Sequence, residues 1–348
     1  MRKVLIITIL FVVFAFFCGG LYIHNLALKN NFRAERGHPA YIFIGENDTF
    51  DSVLRQCIER NLVINSTSFE RWARLKHCET ALKSGCYAVE HGMNNRQMVN
   101  RLMSGQQAPI QLTFNNVRLP EQLAARLGRQ LMHDSAYWMD RFNDAAFLAN
   151  YGTSRTMLLA FFVPNTYEVY WNVGDTTLFA RMKREHERFW TAQRRAEADA
   201  IGLTPDEVVT LAAIVEEETN SVREKPIVAR LYMNRLQCGM RLQSDPTVKY
   251  AVGDFTLTQV LNSHLQTLSP YNTYLHTGLP PGPIRMASIE SVDAVLHADQ
   301  NDYLYMCARP ELDGTHNFTA SAAEHARNAQ LYHKALRHWQ QQQSQIHY

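Results

Sequence analysis

The sequence carries little net charge: 35 Lys and Arg against 33 Asp and Glu leave a formal charge of +2. No basic run or face stands out, which argues against nucleic acid as a partner. A Walker loop, a dinucleotide-type glycine fingerprint and an H-E-x-x-H helix are also missing, so phosphate-cradling and zinc-protease chemistries have no sequence support. Six cysteines occur, none in a C-x-x-C pair, and the histidines lack metal-ligand spacing. No cofactor and no metal are expected. Cys18 falls in an apolar run, and an odd number among Cys57, Cys78, Cys86, Cys238 and Cys307 cannot all pair within one chain. Mostly buried thiols are expected, with at most one disulfide, Cys57, Cys78 and Cys86 being the closest group.

What is present begins with a membrane signal. Arg2-Lys3 precede an uncharged run from Val4 to Tyr22, just long enough to span a bilayer. Positive charge before the run places the N-terminus in the cytoplasm and the bulk of the chain on the extracytoplasmic side. A cleaved signal peptide fits less well, because the run is long and has no A-x-A exit. Phe16-Phe17 are too bulky before Cys18 for a lipoprotein. Residues 1–24 are therefore expected to be a cytoplasmic tip and uncleaved anchor, and 25–38 a polar linker.

The remaining length suits two or three domains with an ordinary apolar content. Tyr41–Ile44, Gly85–Val89 and Ile110–Phe114 read as strands. Helices are expected over Asp48–Arg60, Ser66–His77 (opened by a Ser/Thr cap), Asn94–Met103 (closed by Ser104-Gly105) and Pro120–Leu131. Two strands enclosing short helices make a small α+β module, of a kind that often holds an extended polymer. Binding element and structural spacer both fit that pattern. Asp134–Tyr151 reads as helical, residues 161–167 as a turn between apolar pieces, and 176–200 as one long charged helix with a solvated face.

The next helix is the most informative. Thr204 is an N-cap, Pro205 takes the first helical position, and Asp206-Glu207 fill the first turn. Val208, Leu211, Ile214 and Val215 share one face, and Glu218 continues it, seven residues after Leu211. A carboxyl on a core-facing stripe is costly to ionise, so its pKa should rise, as a general acid requires. A carboxylate fraying to water at the helix end is the plain alternative. Ile227, Val228, Leu231 and Tyr232 form the core stripe of the helix that follows. Three clusters rich in Pro, Gly, Asn and Tyr come next: 240–248, 269–284, and a strand Tyr303–Tyr305 leading to His316-Asn317-Phe318. Such loops often form functional surfaces, although their prolines and glycines mainly shape backbone.

These motifs, E-x-E-T at 216–219, L-Q-S-D-P-T at 242–247, S-P-Y-N-T-Y at 269–274, G-L-P-P-G at 278–282 and H-x-F at 316–318, together resemble the endolytic murein transglycosylase (YceG-like) family. Gly85-x-Tyr87, Met103-Ser104-Gly105 and Pro164-x-Thr166-Tyr167 extend the resemblance over most of the chain. It implies an α+β protein: a transmembrane helix, an α+β module over 39–160 with a LysM-like peptidoglycan-binding part, a mainly helical catalytic domain with a small β-sheet over 161–340, and a polar tail over 341–348. The catalytic glutamate of the family falls on Glu218, the residue the periodicity singles out. The family's middle Lys is Glu217 here, a departure expected on an outward face. Ser244 replaces the usual Thr, and Pro283–Ser288 departs from the usual continuation after G-L-P-P-G.

The implied reaction cleaves the β-1,4 bond from N-acetylmuramic acid to N-acetylglucosamine within nascent peptidoglycan strands, ending their elongation. Glu218 would protonate the glycosidic oxygen, then take a proton from the muramoyl C6 hydroxyl as it closes a 1,6-anhydro ring. A hydrolase would need a second carboxylate at roughly 5–5.5 Å or 6.5–9.5 Å, and Asp245 is the candidate, although Asp before Pro usually braces a turn. Gln243, Tyr271, Asn272, Tyr274 and His316 are candidate sugar-binding or glutamate-orienting groups. Peptidoglycan strands, the inner membrane and cell-wall synthases (penicillin-binding proteins) are the implied partners. A catalytically silent peptidoglycan-binding scaffold that recruits synthases is the alternative.

Overall fold

The computed structural model describes residues 2–346 and divides into two compact units. Unit 1 holds residues 1–112 with 130–133 and 167–174; unit 2 holds 113–129, 134–166 and 175–348.

Unit 1 begins with α1 (Arg2–Leu28), the one helix among the described residues long and apolar enough to cross a membrane. Its last turn leaves the apolar run and enters the unit. Leu26 and Ala27 are buried, and the Leu26 carbonyl accepts from Asn95 Nδ2 at 2.9 Å. The following stretch is therefore no free linker. Phe32 is buried edge-on against Phe69, and the Asn31 and Phe32 amides both donate to the Met93 carbonyl at 2.8 and 2.9 Å. One apolar side chain and a satisfied Asn suffice to fasten a segment that composition marks as polar.

β1 (Ala40–Ile44) pairs antiparallel with β2 (Gly85–Val89), Ala40 opposite Val89 and Ile44 opposite Gly85. Between them lie α2 (Phe50–Glu59), α3 (Ser66–Leu75) and the short α4 (Cys78–Ala81). α3 is capped by Asn65, one residue earlier than the expected Ser/Thr cap. α5 (Asn95–Ser104) has a capping box from Asn94 and Gln97 and ends at left-handed Gly105. Cys57, Cys78 and Cys86 are buried free thiols. Burial pushes Cys57 up to about 12 and the other two up to about 11.

β3 (Ile110–Phe114) leads into α6 (Pro120–Gln130), α7 (Ser135–Asn143), α8 (Ala145–Asn150) and α9 (Leu158–Phe161); β4 (Asn165–Val169) pairs with β3. The expected helix over 134–151 is broken at Asp144, whose side chain caps α8. β4 occupies part of the expected turn. Phe114, Phe142, Phe162 and Phe179 pack edge-to-face. This cluster lies within unit 2, which holds 113–129 and 134–166.

The expected long charged helix is two: α10 (Asp175–Phe189) and α11 (Ala192–Ala200). Trp190 turns into the core and Thr191 caps α11, which together break the run. α12 (Pro205–Glu218) then passes through the centre of unit 2. Val208 to Val215 are all buried, so it is enclosed on every side rather than striped. α13 (Lys225–Gln237), α14 (Asp245–Val252) and α15 (Ile289–Leu296) pack around it. The last sheet pairs β5 (Tyr305–Ala308) with β6 (His316–Thr319). The expected strand at 303–305 starts later because the Tyr303 and Leu304 carbonyls accept from Asn234 and Arg235 of α13. α16 (Ala322–Ile346) continues through most of the expected polar tail, whose last two residues lie outside the described ones.

The two glycines of G-L-P-P-G serve different needs. A Cβ on Gly282 would meet the Thr156 carbonyl oxygen at 2.3 Å, whereas Gly278 faces open space at φ +83°. Gly282→Ala should therefore cost about 1–3 kcal/mol through overpacking and Gly278→Ala about 1–2 kcal/mol through backbone conformation. Denaturant titration of the full chain in detergent checks both; a neutral Gly282→Ala would refute the close approach.

Candidate active site

Glu218 is the last helical residue of α12, where the chain emerges from the core. The residue is half-buried, and its carboxyl stands at the wall of an open cleft of about 370 Å³ in unit 2. Two hydroxyls reach the same carboxyl oxygen: Tyr232 Oη donates to Oε1 at 2.5 Å, and so does Ser244 Oγ at 2.5 Å. Tyr232 comes from α13, two turns in, and is 2% exposed; Ser244 is the residue before α14 and 1% exposed. Ser244 makes no side-chain cap on its own helix, because its hydroxyl is committed to Glu218. With Oε1 taken twice, Oε2 is the oxygen left to carry a proton.

Burial is the largest influence on the Glu218 carboxyl and raises its pKa above the ordinary value. The Ser244 and Tyr232 hydrogen bonds pull the other way, Asp245 adds a raising contribution, and His316 a lowering one. The balance is a raised pKa. Burial, with Glu218 beside it, also pushes the Tyr232 phenol well above its usual range, so Tyr232 stays protonated and acts as a donor.

The two loop motifs are tied to one another behind this carboxyl. Gln243 N donates to the Thr273 carbonyl at 3.1 Å, Ser244 N to Thr273 Oγ1 at 3.0 Å, and Thr247 Oγ1 contacts Thr273 Oγ1 at 2.8 Å. Gln243 itself sits at φ +50°, an uncommon conformation for a side-chain-bearing residue, held by these bonds. The lattice fixes Ser244 and turns Asp245 toward the cleft. Asp245 Oδ1 accepts from Tyr274 Oη at 2.6 Å, and burial followed by that bond raises the Tyr274 pKa. On the far side, His316 N and Nδ1 both meet the Glu224 carboxylate, at 2.8 and 2.9 Å, and Thr219 Oγ1 donates to it at 3.1 Å. His316 is thereby oriented by the residue that opens α13.

Of the seven residues singled out from sequence, Glu218, Gln243, Asp245, Tyr274 and His316 line the cleft. Tyr271 and Asn272 do not. Tyr271 packs on Tyr250 with ring centroids 4.7 Å apart. Asn272 is fully buried; its Nδ2 holds the Leu265 and Thr267 carbonyls and its Oδ1 accepts from Tyr274 N. It shapes the loop and has no surface to offer a sugar. Glu217 does not face outward either. It receives Arg118 Nε at 3.0 Å and Arg285 Nη1 at 2.6 Å, while Glu216 receives Ser288 N at 2.6 Å. The two departures from the usual motifs, Glu217 and the segment around Arg285, are thus partners in one partly buried ion pair.

The YceG-like family model matches residues 42–331. The chain belongs to the YceG-like family. It is similar to the endolytic murein transglycosylase of Bacillus subtilis, 26% identical over 332 residues that cover 90% of each chain. It is also similar to the endolytic murein transglycosylase of Streptococcus pneumoniae, 23% identical over 359 residues, covering 94% of this chain and 64% of that longer protein. A crystal structure of a yceG-like protein from Listeria monocytogenes matches with a TM-score of 0.56 and 26% identity, over 83% of this chain and 98% of that one.

Within this YceG-like site, sequence reasoning overlooked Tyr232, Ser244 as a donor, Glu224, and His325, which also lines the cleft. Tyr232 sits in an apolar stripe of α13 and reads as core; only its hydroxyl marks it as a polar tip needing a partner. Glu224 reads as a helix start. If the two hydroxyls hold the carboxyl as described, Tyr232→Phe removes a bond that favours the charged form, so the Glu218 pKa should rise further. Carboxyl 13C titration of labelled protein checks this; an unchanged or lowered Glu218 midpoint in Tyr232→Phe would contradict it.

Proposed function

We propose that this protein is a membrane-anchored lytic transglycosylase that cuts within peptidoglycan glycan strands. The observation that carries the reading is Glu218: a carboxyl with a raised pKa, pinned through one oxygen, on a residue that lines an open polar cleft. Such a group stays protonated at a pH where free glutamate is ionised, as a general acid must.

Oε2–H donates to the glycosidic oxygen linking the muramoyl C1 to the next sugar, and the C1–O bond breaks as that oxygen gains the proton. The C6 hydroxyl of the same muramoyl ring attacks C1, and its proton passes to the Glu218 carboxylate. The acid is restored and no water is consumed. Holding the nucleophile within the substrate makes ring closure effectively unimolecular. While the carboxylate exists, Tyr232 and Ser244 stabilise its charge, which lets one residue serve as acid and then as base. Asp245 is engaged by Tyr274 and acts as a brace for the cleft wall. Gln243, Tyr274 and His316 supply donors and acceptors for sugar hydroxyl and acetamido groups.

The same proposal places the cleft on the extracytoplasmic side, supported by Arg2-Lys3 ahead of the apolar run. Unit 1, whose antiparallel β1 and β2 enclose short helices, is read as a LysM-like element that holds the strand. Cell-wall synthases are the partners that would deliver nascent strands to such an enzyme. The relatives named endolytic murein transglycosylase favour an enzyme over a silent scaffold.

Glu218→Gln keeps the shape and both hydroxyl contacts but cannot give up a proton. Release of soluble fragments from purified peptidoglycan should fall about 10²–10⁴-fold, with sedimentation of the variant on peptidoglycan unchanged. Asp245→Asn should keep cutting within about tenfold of the parent. Parental cutting by Glu218→Gln would remove Glu218 from the reaction, and loss in Asp245→Asn as deep as in Glu218→Gln would point to a two-carboxylate hydrolase.

A further inference from the structure

A second cleft lies within unit 1, where the apolar run of α1 gives way to the folded part of the unit. The apolar run of α1 ends at Tyr22, about 28 Å of helix beyond Val4, close to the hydrocarbon thickness of a bilayer. Tyr22 therefore stands at the membrane–water boundary, where its ring and hydroxyl suit both sides. Its hydroxyl accepts from Arg71 Nη1 of α3 at 3.2 Å, which brings that guanidinium to the same depth. Lys29 follows Tyr22 by seven residues, about 10 Å further along the axis. These residues, with Asn25, Asn30 and Thr67, line an open cleft of about 450 Å³.

Three features make this a built site rather than two stray cations. Among the described residues no acidic side chain lines the cleft. Among the described residues neither Arg71 nor Lys29 is in an ion pair, although Arg74, one turn further along α3, is surrounded by Asp51, Glu70 and Glu79. The floor is rigid: Asn31 Nδ2 donates to the Asn65 carbonyl, to Ser68 Oγ and to Asn95 Oδ1, and Asn95 Nδ2 holds the Leu26 carbonyl, all at 2.8–3.1 Å with both asparagines buried. This network fixes the end of α1 against α3 and so fixes the spacing of Lys29 and Arg71.

We infer that the cleft formed by Tyr22, Lys29 and Arg71 binds the phosphate of a membrane lipid. A guanidinium can grip two phosphate oxygens and the lysine a third, while the acyl chains stay beside the exposed apolar surface of α1. The ligand tethers unit 1 to the bilayer surface at one fixed depth. An anionic phospholipid headgroup and a polyprenyl pyrophosphate share this chemistry.

The test uses the full chain in nanodiscs of equimolar phosphatidylglycerol and phosphatidylcholine, with retained lipid identified by native mass spectrometry. Folding of each variant is checked by circular dichroism. The parent should retain phosphatidylglycerol preferentially, and each lost cation should lower that enrichment roughly fivefold, so Lys29→Gln with Arg71→Gln should abolish it. Arg55→Gln with Arg129→Gln removes the same charge from exposed positions elsewhere and should leave it intact. Equal loss in both double variants, or no enrichment in the parent, overturns the site. In nanodiscs doped with polyprenyl pyrophosphate, displacement of phosphatidylglycerol from the parent but not from the cleft variant supports the site with the pyrophosphate as occupant. Retention of phosphatidylglycerol supports it with the phospholipid.

Discussion

One carboxyl oxygen with two hydroxyl donors is the constraint on which unit 2 depends. To place Glu218 Oε1 at 2.5 Å from both Tyr232 and Ser244, α12, α13 and the loop before α14 must converge within a fraction of an ångström. The apolar packing of α12 supplies that convergence: eight consecutive buried residues leave the helix no freedom to rotate. The same burial raises the Glu218 pKa above its unfolded value. The folded state then binds the proton more tightly than the unfolded chain between those two values. Stability therefore falls as pH rises from the unfolded value through the folded one. The site costs the fold stability at neutral pH, and the acid role proposed for Glu218 draws on the same burial.

The loop motifs make sense as parts of the same clamp. Thr273 joins the 269–274 loop to Gln243, Ser244 and Thr247, so the segment that carries Ser244 cannot shift without its partner. Asn272, a residue that looks like a sugar contact, commits its side-chain amide to the backbone of Leu265, Thr267 and Tyr274. Glu224 plays a comparable part for His316. At the other edge, Glu216 and Glu217 fasten Arg285 and Ser288, so three successive carboxylates at one helix end serve three different ends.

Much of this was legible in the sequence because local rules and tertiary packing agree there. β2 and β3 have the expected bounds, and α12 begins at the expected Thr204 cap with its capping box in place. Glu218 was legible as a carboxyl at apolar spacing. The misreadings occur where one residue overrides a long pattern. Asp144 and Thr191 each cap a new helix inside a stretch that reads as continuous. Phe32 buries a polar linker, and the side chains of Asn234 and Arg235 take carbonyls that a strand would have used. Tyr232 and Glu224 were hidden for another reason: their partners lie 14 and 92 residues away, and periodicity reports only neighbours on the same element.

The central claim is that Glu218 works with a nucleophile supplied by the substrate. Mass spectrometry of the strand ends released from purified peptidoglycan by the full chain in detergent tests it most directly. The account predicts muramic acid ends in the 1,6-anhydro form, one water lighter than reducing ends. Reducing muramic acid ends from the same digestion would contradict it, because they require water as the nucleophile.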